Sequence, residues 1–244
     1  MQLNLKTKIP SLFTLFNLCC GFAAILIGST TGDLHISTML ILAGMFFDVI
    51  DGLVARMLKV QSQFGKELDS LADLVSFGVA PAFLYTLISP VDHWAMYIPA
   101  FFILVGSALR LAIFNLRPPT KYFLGLPTPA STFFLAGLFI GVQFDSELMS
   151  TLINNPSIYA LIPFFLMLLN LSKLKMFSFK QLGPNNLNFN IFILICLLTF
   201  VCLTFVNYKL SMPIGVIIYI ILSVAYSIKM KEDKNGNKDH GRVY

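Results

Sequence analysis

Residues 47–73 read FDVIDGLVARMLKVQSQFGKELDSLAD, and apolar runs flank this stretch on both sides. Asp48 and Asp51 therefore lie about two turns inside the end of one hydrophobic helix, and Asp69 and Asp73 about one and two turns into the next. An ionisable side chain inside an apolar span is costly, and by default it marks a functional site. Asp48 and Asp51 are spaced i,i+3, and Asp69 and Asp73 i,i+4, so each pair shares a helix face. The polar stretch between them reverses the chain and makes the two helices antiparallel. Asp51 and Asp73 are each about seven residues from that turn, roughly 10 Å deep at 1.5 Å per residue. Two carboxylates from each helix are thus expected to meet at similar depth.

Four packed carboxylates cannot all stay ionised without a counter-charge, and hard divalent cations supply it. All-oxygen ligands with no His or Cys select Mg²⁺, Mn²⁺ or Ca²⁺ over Zn²⁺ or Cu. Four carboxylates suffice for two metals about 3.5–4 Å apart, an arrangement that supports in-line displacement at phosphorus. Gly52 and Gly65 would let a backbone or a phosphate approach closely, and Arg56 suits a phosphate oxygen. Taken singly, each aspartate reads equally as a helix cap or half of an ion pair. Asp69 and Asp73 could also line a proton or cation pathway in a transporter. The four together, beside Arg56 and two glycines, point to metal-assisted phosphoryl chemistry at a membrane interface.

The rest of the chain agrees with a bilayer setting. Of its 244 residues, 57% are hydrophobic and only 12% charged, with mean hydropathy +0.78. Soluble domains carry about 25% charge, so this is an integral membrane protein rather than a soluble or disordered chain. An all-α bundle of about eight transmembrane helices is expected, over residues 10–29, 35–58, 66–88, 94–116, 128–144, 156–171, 187–206 and 211–229. Residues 1–230 then form one membrane domain, with 187–229 as accessory spans and 231–244 as a disordered polar tail. Eight spans put every one of the 17 Lys and Arg residues except Lys209 on one side, so both termini are expected in the cytoplasm. The net charge of +5 is distributed between hydrophobic runs, which excludes nucleic acid as a partner. The four cysteines fall in apolar stretches without metal-ligand spacing.

Asp48, Asp51, Gly52, Ala55, Arg56, Gly65, Asp69 and Asp73 match the pattern D-x-x-D-G-x-x-A-R-x8-G-x-x-x-D-x-x-x-D without a gap or substitution. In this the chain resembles the CDP-alcohol phosphatidyltransferase family, which transfers the phosphatidyl group of a CDP-linked lipid to an alcohol and releases CMP. The resemblance implies a helical membrane bundle, often a homodimer, with its site open to the cytoplasm and the lipid. It implies that Asp48, Asp51, Asp69 and Asp73 hold two divalent ions, Mg²⁺ or Mn²⁺, and that Asp73 is also the general base. Gly52, Arg56 and Ser62 would contact the CDP-lipid, Gly65 would give room for the nucleotide, and Asn17 would lie along the nucleotide's wall.

Three stretches resemble the bacterial serine-accepting members of that family: residues 9–25 (IPSLFTLFNLCCGFAAI), 65–82 (GKELDSLADLVSFGVAPA) and 106–131 (GSALRLAIFNLRPPTKYFLGLPTPAS). Ser11 departs from the pattern, where these proteins usually carry Asn after the Pro. The resemblance implies CDP-diacylglycerol and L-serine as substrates. Arg110, about a turn and a half inside the fourth span, then serves as a fork for the serine carboxylate; on sequence alone it reads equally as a side chain snorkelling to the interface. Asn115, Arg117 and Lys121 would cap the acceptor from the cytoplasmic side, although Arg117 and Lys121 also fit as ordinary positive-inside residues. The open alternatives are another acceptor (glycerol 3-phosphate, an inositol phosphate or choline) and, from a different class, a divalent-cation transporter.

Overall fold

The computed structural model describes residues 5–60, 62–117, 123–144, 146–176 and 209–224. Among them α1 (Leu5–Thr31) and α2 (Leu34–Met57) form an antiparallel pair. Gly32, at φ +68°, ends α1 by returning its N–H to the Gly28 carbonyl at 3.1 Å. Asp33 then caps α2 by accepting the Ile36 N–H at 2.9 Å. The buried line of α1 runs Pro10, Thr14, Asn17, Gly21, Ala24, Gly28, and α2 answers with Leu34, Thr38, Ile41, Gly44 and Asp51. The α1 line recurs every three or four residues and is built of small and polar groups, and α2 meets it with small and polar groups beside Leu34 and Ile41. That is how helices pack when lipid, not water, is the competing solvent.

The third expected span is a composite. Helix α3 (Gln63–Leu74) runs into a π-turn (Val75–Val79) and continues as α4 (Ala80–Leu87). A 3₁₀ turn, Trp94–Tyr97, leads into α5 (Ile98–Leu116). Then follow a two-residue strand β1 (Phe123–Leu124), α6 (Thr128–Gln143), α7 (Glu147–Asn154), α8 (Pro156–Leu171) and β2 (Lys175–Met176). β1 and β2 pair antiparallel, a small departure from an all-helical chain. Gly125 locks this hairpin-like contact. Its φ is +77°, its N–H donates to the Leu174 carbonyl at 2.8 Å, and an added Cβ would strike the Asn170 carbonyl.

Helix α7 corrects the expectation of a plain connection over 145–155. Met149 and Ile153, four apart, bury one face of a short amphipathic helix there. Helix α6 is buried along almost its whole length. A last helix, α9 (Lys209–Val224), seats Pro213 on Gly137, and Lys209 Nζ donates to the Phe144 carbonyl.

Among the described residues, four helical stretches are long and apolar enough to cross a membrane, and the α6–α7 pair, bent by 105°, makes a fifth if counted as one span. The chain is therefore a mostly helical membrane protein. The expected span 187–206 and tail 231–244 lie outside the described residues, and the span 211–229 is described only as far as 224.

Candidate active site

The antiparallel turn between α2 and α3 brings the carboxylates together as their spacing requires. Asp48, Asp51 and Asp69 each offer an oxygen lying within 4.8 Å of the others. Asp73 stands beside this triad: Asp48 interacts with both Asp69 and Asp73, and Asp73 also lies within electrostatic reach of Asp51. Asp51 and Asp73 are buried, while Asp48 and Asp69 are half-buried.

Helix α1 completes the wall. Thr14 Oγ1 donates to Asp51 Oδ2 at 2.6 Å, and Asn17 Nδ2 donates to Asp73 Oδ1 at 3.1 Å. Each bond engages one oxygen of its carboxylate and orients the group. Asp69 Oδ1 and Asn17 Oδ1 are buried with no hydrogen-bond partner. An anionic oxygen in that condition is expensive unless a cation meets it. The donor set, all carboxylate oxygen, fits a hard divalent ion.

Around the triad the environment is uneven. A Cβ built on Gly52 would meet nothing within 4 Å. Glycine in mid-helix costs about 0.5–1 kcal/mol relative to alanine, and no neighbouring atom of the protein explains it here. Arg56, one turn on, is exposed, and its Nε donates to the Gly52 carbonyl at 2.9 Å. Helix α2 ends with Lys59 in the left-handed region at φ 53°, its N–H on the Arg56 carbonyl and the Val60 N–H on that of Ala55. This is a Schellman closure carrying lysine where glycine is usual. Ser62 caps α3, accepting the Gly65 N–H at 3.0 Å, and its Oγ would sit 3.2 Å from a Cβ on Gly65. Ser62 and Gly65 thus have a local structural task at the start of α3.

The acceptor-side residues separate into distinct roles. Arg110 is only 7% exposed, so it does not snorkel. Its Nε donates to the Leu126 carbonyl at 3.3 Å, and its guanidinium carbon lies 5.1 Å from the Phe114 ring centroid. Asp73 and Tyr219 are both within electrostatic reach of it. Asn115 spends its side chain on α3, donating from Nδ2 to Ser70 Oγ at 2.7 Å, while Lys66 Nζ donates to its carbonyl at 2.9 Å. Arg117 is exposed at the end of α5, and Lys121 lies outside the described residues.

Reading the sequence missed Thr14 and Tyr219. Thr14 precedes Asn17 by three residues on the same face, a signal present in the sequence. Tyr219 belongs to a helix far along the chain, and no local pattern announces its approach to Arg110.

The sequence profile for CDP-alcohol phosphatidyltransferases matches residues 7–166, which contain the carboxylate cluster, its α1 wall and Arg110. This chain belongs to the CDP-alcohol phosphatidyltransferase family. It is a transferase, and three relatives give the family's reach. The CDP-diacylglycerol–serine O-phosphatidyltransferase of Bacillus subtilis is 34% identical over 183 residues, covering 73% of this chain and 95% of the relative. The protein of that name from Helicobacter pylori is 30% identical over 230 residues, 92% of each chain. That from Methanocaldococcus jannaschii is 40% identical over 129 residues, 53% of this chain and 59% of its own.

Proposed function

We propose that this protein transfers the phosphatidyl group of CDP-diacylglycerol to the hydroxyl of L-serine, giving phosphatidylserine and CMP. It does so as a multi-pass protein of the cell membrane, arranged as a homodimer, with its site facing the cytoplasm where the Lys and Arg residues collect. The observation that carries this reading is the convergence of Asp48, Asp51 and Asp69 within 4.8 Å of one another, with Asp73 beside them. The names of the relatives support serine as the acceptor.

The four aspartates would hold two divalent cations, Mg²⁺ or Mn²⁺. When bound, these neutralise the pyrophosphate oxygens and stabilise the charge that builds up on departing CMP. Thr14 and Asn17 orient Asp51 and Asp73 before substrate arrives. The open space at Gly52 admits the pyrophosphate against the α2 backbone, and Arg56 meets a phosphate oxygen from the exposed side.

Arg110, held by the Leu126 carbonyl, receives the serine carboxylate and places the hydroxyl beside Asp73. As the serine oxygen bonds to the lipid-side phosphorus, the bond from that phosphorus to CMP breaks and the hydroxyl proton passes to Asp73. Burial of Asp73 and Arg110 restricts water, which favours serine over hydrolysis.

The test is CMP release by purified protein in detergent with CDP-diacylglycerol, Mg²⁺ or Mn²⁺, and one alcohol at a time. Release with serine, abolished by EDTA, is the expected result. Release only with glycerol 3-phosphate, an inositol phosphate or choline overturns the acceptor and keeps the site. No release with any alcohol, together with metal flux in proteoliposomes, replaces the transferase by a transporter.

A further inference from the structure

The π-turn that follows Asp73 has an identifiable cause. Pro81 has no N–H to give to the carbonyl four residues before it, that of Phe77. That carbonyl instead accepts Thr132 Oγ1 from α6 at 2.9 Å and Ser107 Oγ from α5 at 3.3 Å. Ser76, in the same turn, donates to the Asn17 carbonyl at 2.8 Å, and Asn17 in turn holds Asp73. Ser76, Phe77, Ser107 and Thr132 are all buried. The turn is also pressed from two sides, with Gly21 of α1 against Ser76 and Gly78 against Ser107.

A wide turn matters because it changes helical phase. Each α-helical residue advances about 100°, and a π-turn inserts the equivalent of one residue. Downstream, the phase of α4 is set independently. Tyr85 OH donates to the Tyr159 carbonyl at 2.6 Å, Tyr159 OH returns a bond to the Tyr85 carbonyl at 3.0 Å, and Leu84 packs on Gly28. With α4 fixed, a continuous α-helix would carry the Asp69–Asp73 face away from α2 by about that 100°.

We propose that the π-turn Val75–Val79, clamped at the Phe77 carbonyl by Thr132 and Ser107, turns Asp69 and Asp73 into the carboxylate cluster, making Thr132 and Ser107 positioning residues for the site. The inference rests on the metal-binding reading of the four aspartates given above. It assigns to α5 and α6 a task distinct from holding substrate, since they fix the angle at which a third helix presents its carboxylates.

The experiment is Mn²⁺ binding to the purified full chain, followed by electron paramagnetic resonance without substrate, alongside kcat with serine. In the Thr132→Val/Ser107→Ala variant we expect Mn²⁺ affinity and kcat each to fall at least about tenfold, while Thr132→Ser retains both. Should the double variant fail to fold, Thr132→Val alone, with Ser107 still donating, is expected to show the same losses at smaller size. A folded double variant that binds Mn²⁺ within twofold of wild type overturns the inference and leaves the metal site standing. Wild-type protein that binds no Mn²⁺ or Mg²⁺ overturns the metal reading, and the inference with it.

Discussion

At the contact of α4 with α8, Tyr85 and Tyr159 stack with ring centroids 4.6 Å apart and exchange hydroxyl-to-carbonyl bonds across the pair. At the contact of α2 with α3, Asp69 Oδ1 is buried without a donor and the space beside Gly52 is open. Both regions place polar groups inside an apolar bundle. The tyrosine clasp is complete within the protein, whereas one oxygen of the aspartate cluster is left without a donor. In a low-dielectric interior an unsatisfied charge is the more costly condition. Neutral hydroxyl and amide oxygens of Ser37, Thr38, Thr128 and Asn170 are also buried without a partner, so it is the charge on Asp69 that marks the α2–α3 contact.

The largest effect expected from this contrast is at the carboxylates. Asp51→Asn, Asp69→Asn or Asp73→Asn should lower turnover by about 10³-fold or more, with membrane insertion retained. CMP release on membranes containing equal amounts of inserted protein checks this, and wild-type-like activity in any one of them breaks the mechanism. Gly52→Ala sharpens the comparison by separating stability from function. An added methyl meets no protein atom, so thermal stability should rise by about 0.5–1 kcal/mol, while kcat/KM for CDP-diacylglycerol falls roughly tenfold. Unchanged kinetics would show that nothing approaches the α2 backbone there.

The clasp should respond in the opposite sense. Tyr85→Phe keeps the ring stack but strips the Tyr159 carbonyl of its donor, costing about 1 kcal/mol in detergent-melting experiments. The KM for serine should not move. The smallest effect is expected at Lys59, where glycine would relieve left-handed backbone strain. Relief of about 1 kcal/mol of strain is largely offset by glycine's entropic cost of about 0.5–1 kcal/mol, so Lys59→Gly should raise the melting temperature only slightly, with activity intact.

Much of the site was legible because its signal is local. The i,i+3 and i,i+4 spacings of Asp48, Asp51, Asp69 and Asp73 define two helix faces before any tertiary structure exists. A short reversing loop leaves those faces only one way to meet. Asn17 and Arg110 were legible as polar groups stranded in apolar runs, and both are buried in the structure.

What escaped the sequence reading depends on partners distant in the chain or on a change of phase. Residues 66–88 look like one span because apolar or small residues occupy every face from Leu74 onward, so a one-residue slip there leaves no mark in the pattern. Pro81 was the only local hint, four residues beyond Phe77. Helix α7 escaped because eight residues give the 3.6-residue period barely two repeats. Thr132 and Tyr219 come from α6 and α9, and only packing brings them to the π-turn and to α5. The serine capping α3 illustrates the opposite hazard. Ser62 was assigned to lipid contact by resemblance, and its hydroxyl oxygen also accepts the Gly65 N–H as the cap of α3.

We propose that the α2–α3 carboxylates form a divalent-metal site that drives serine-dependent CMP release. Its most direct test is equilibrium Mn²⁺ binding and CMP release measured on the same preparations of wild type and Asp69→Asn. Saturable Mn²⁺ binding is expected in the wild type, with serine-dependent release tracking its occupancy, and loss of both in the variant. Equal Mn²⁺ binding by the two proteins, or release that persists in the variant, would contradict it.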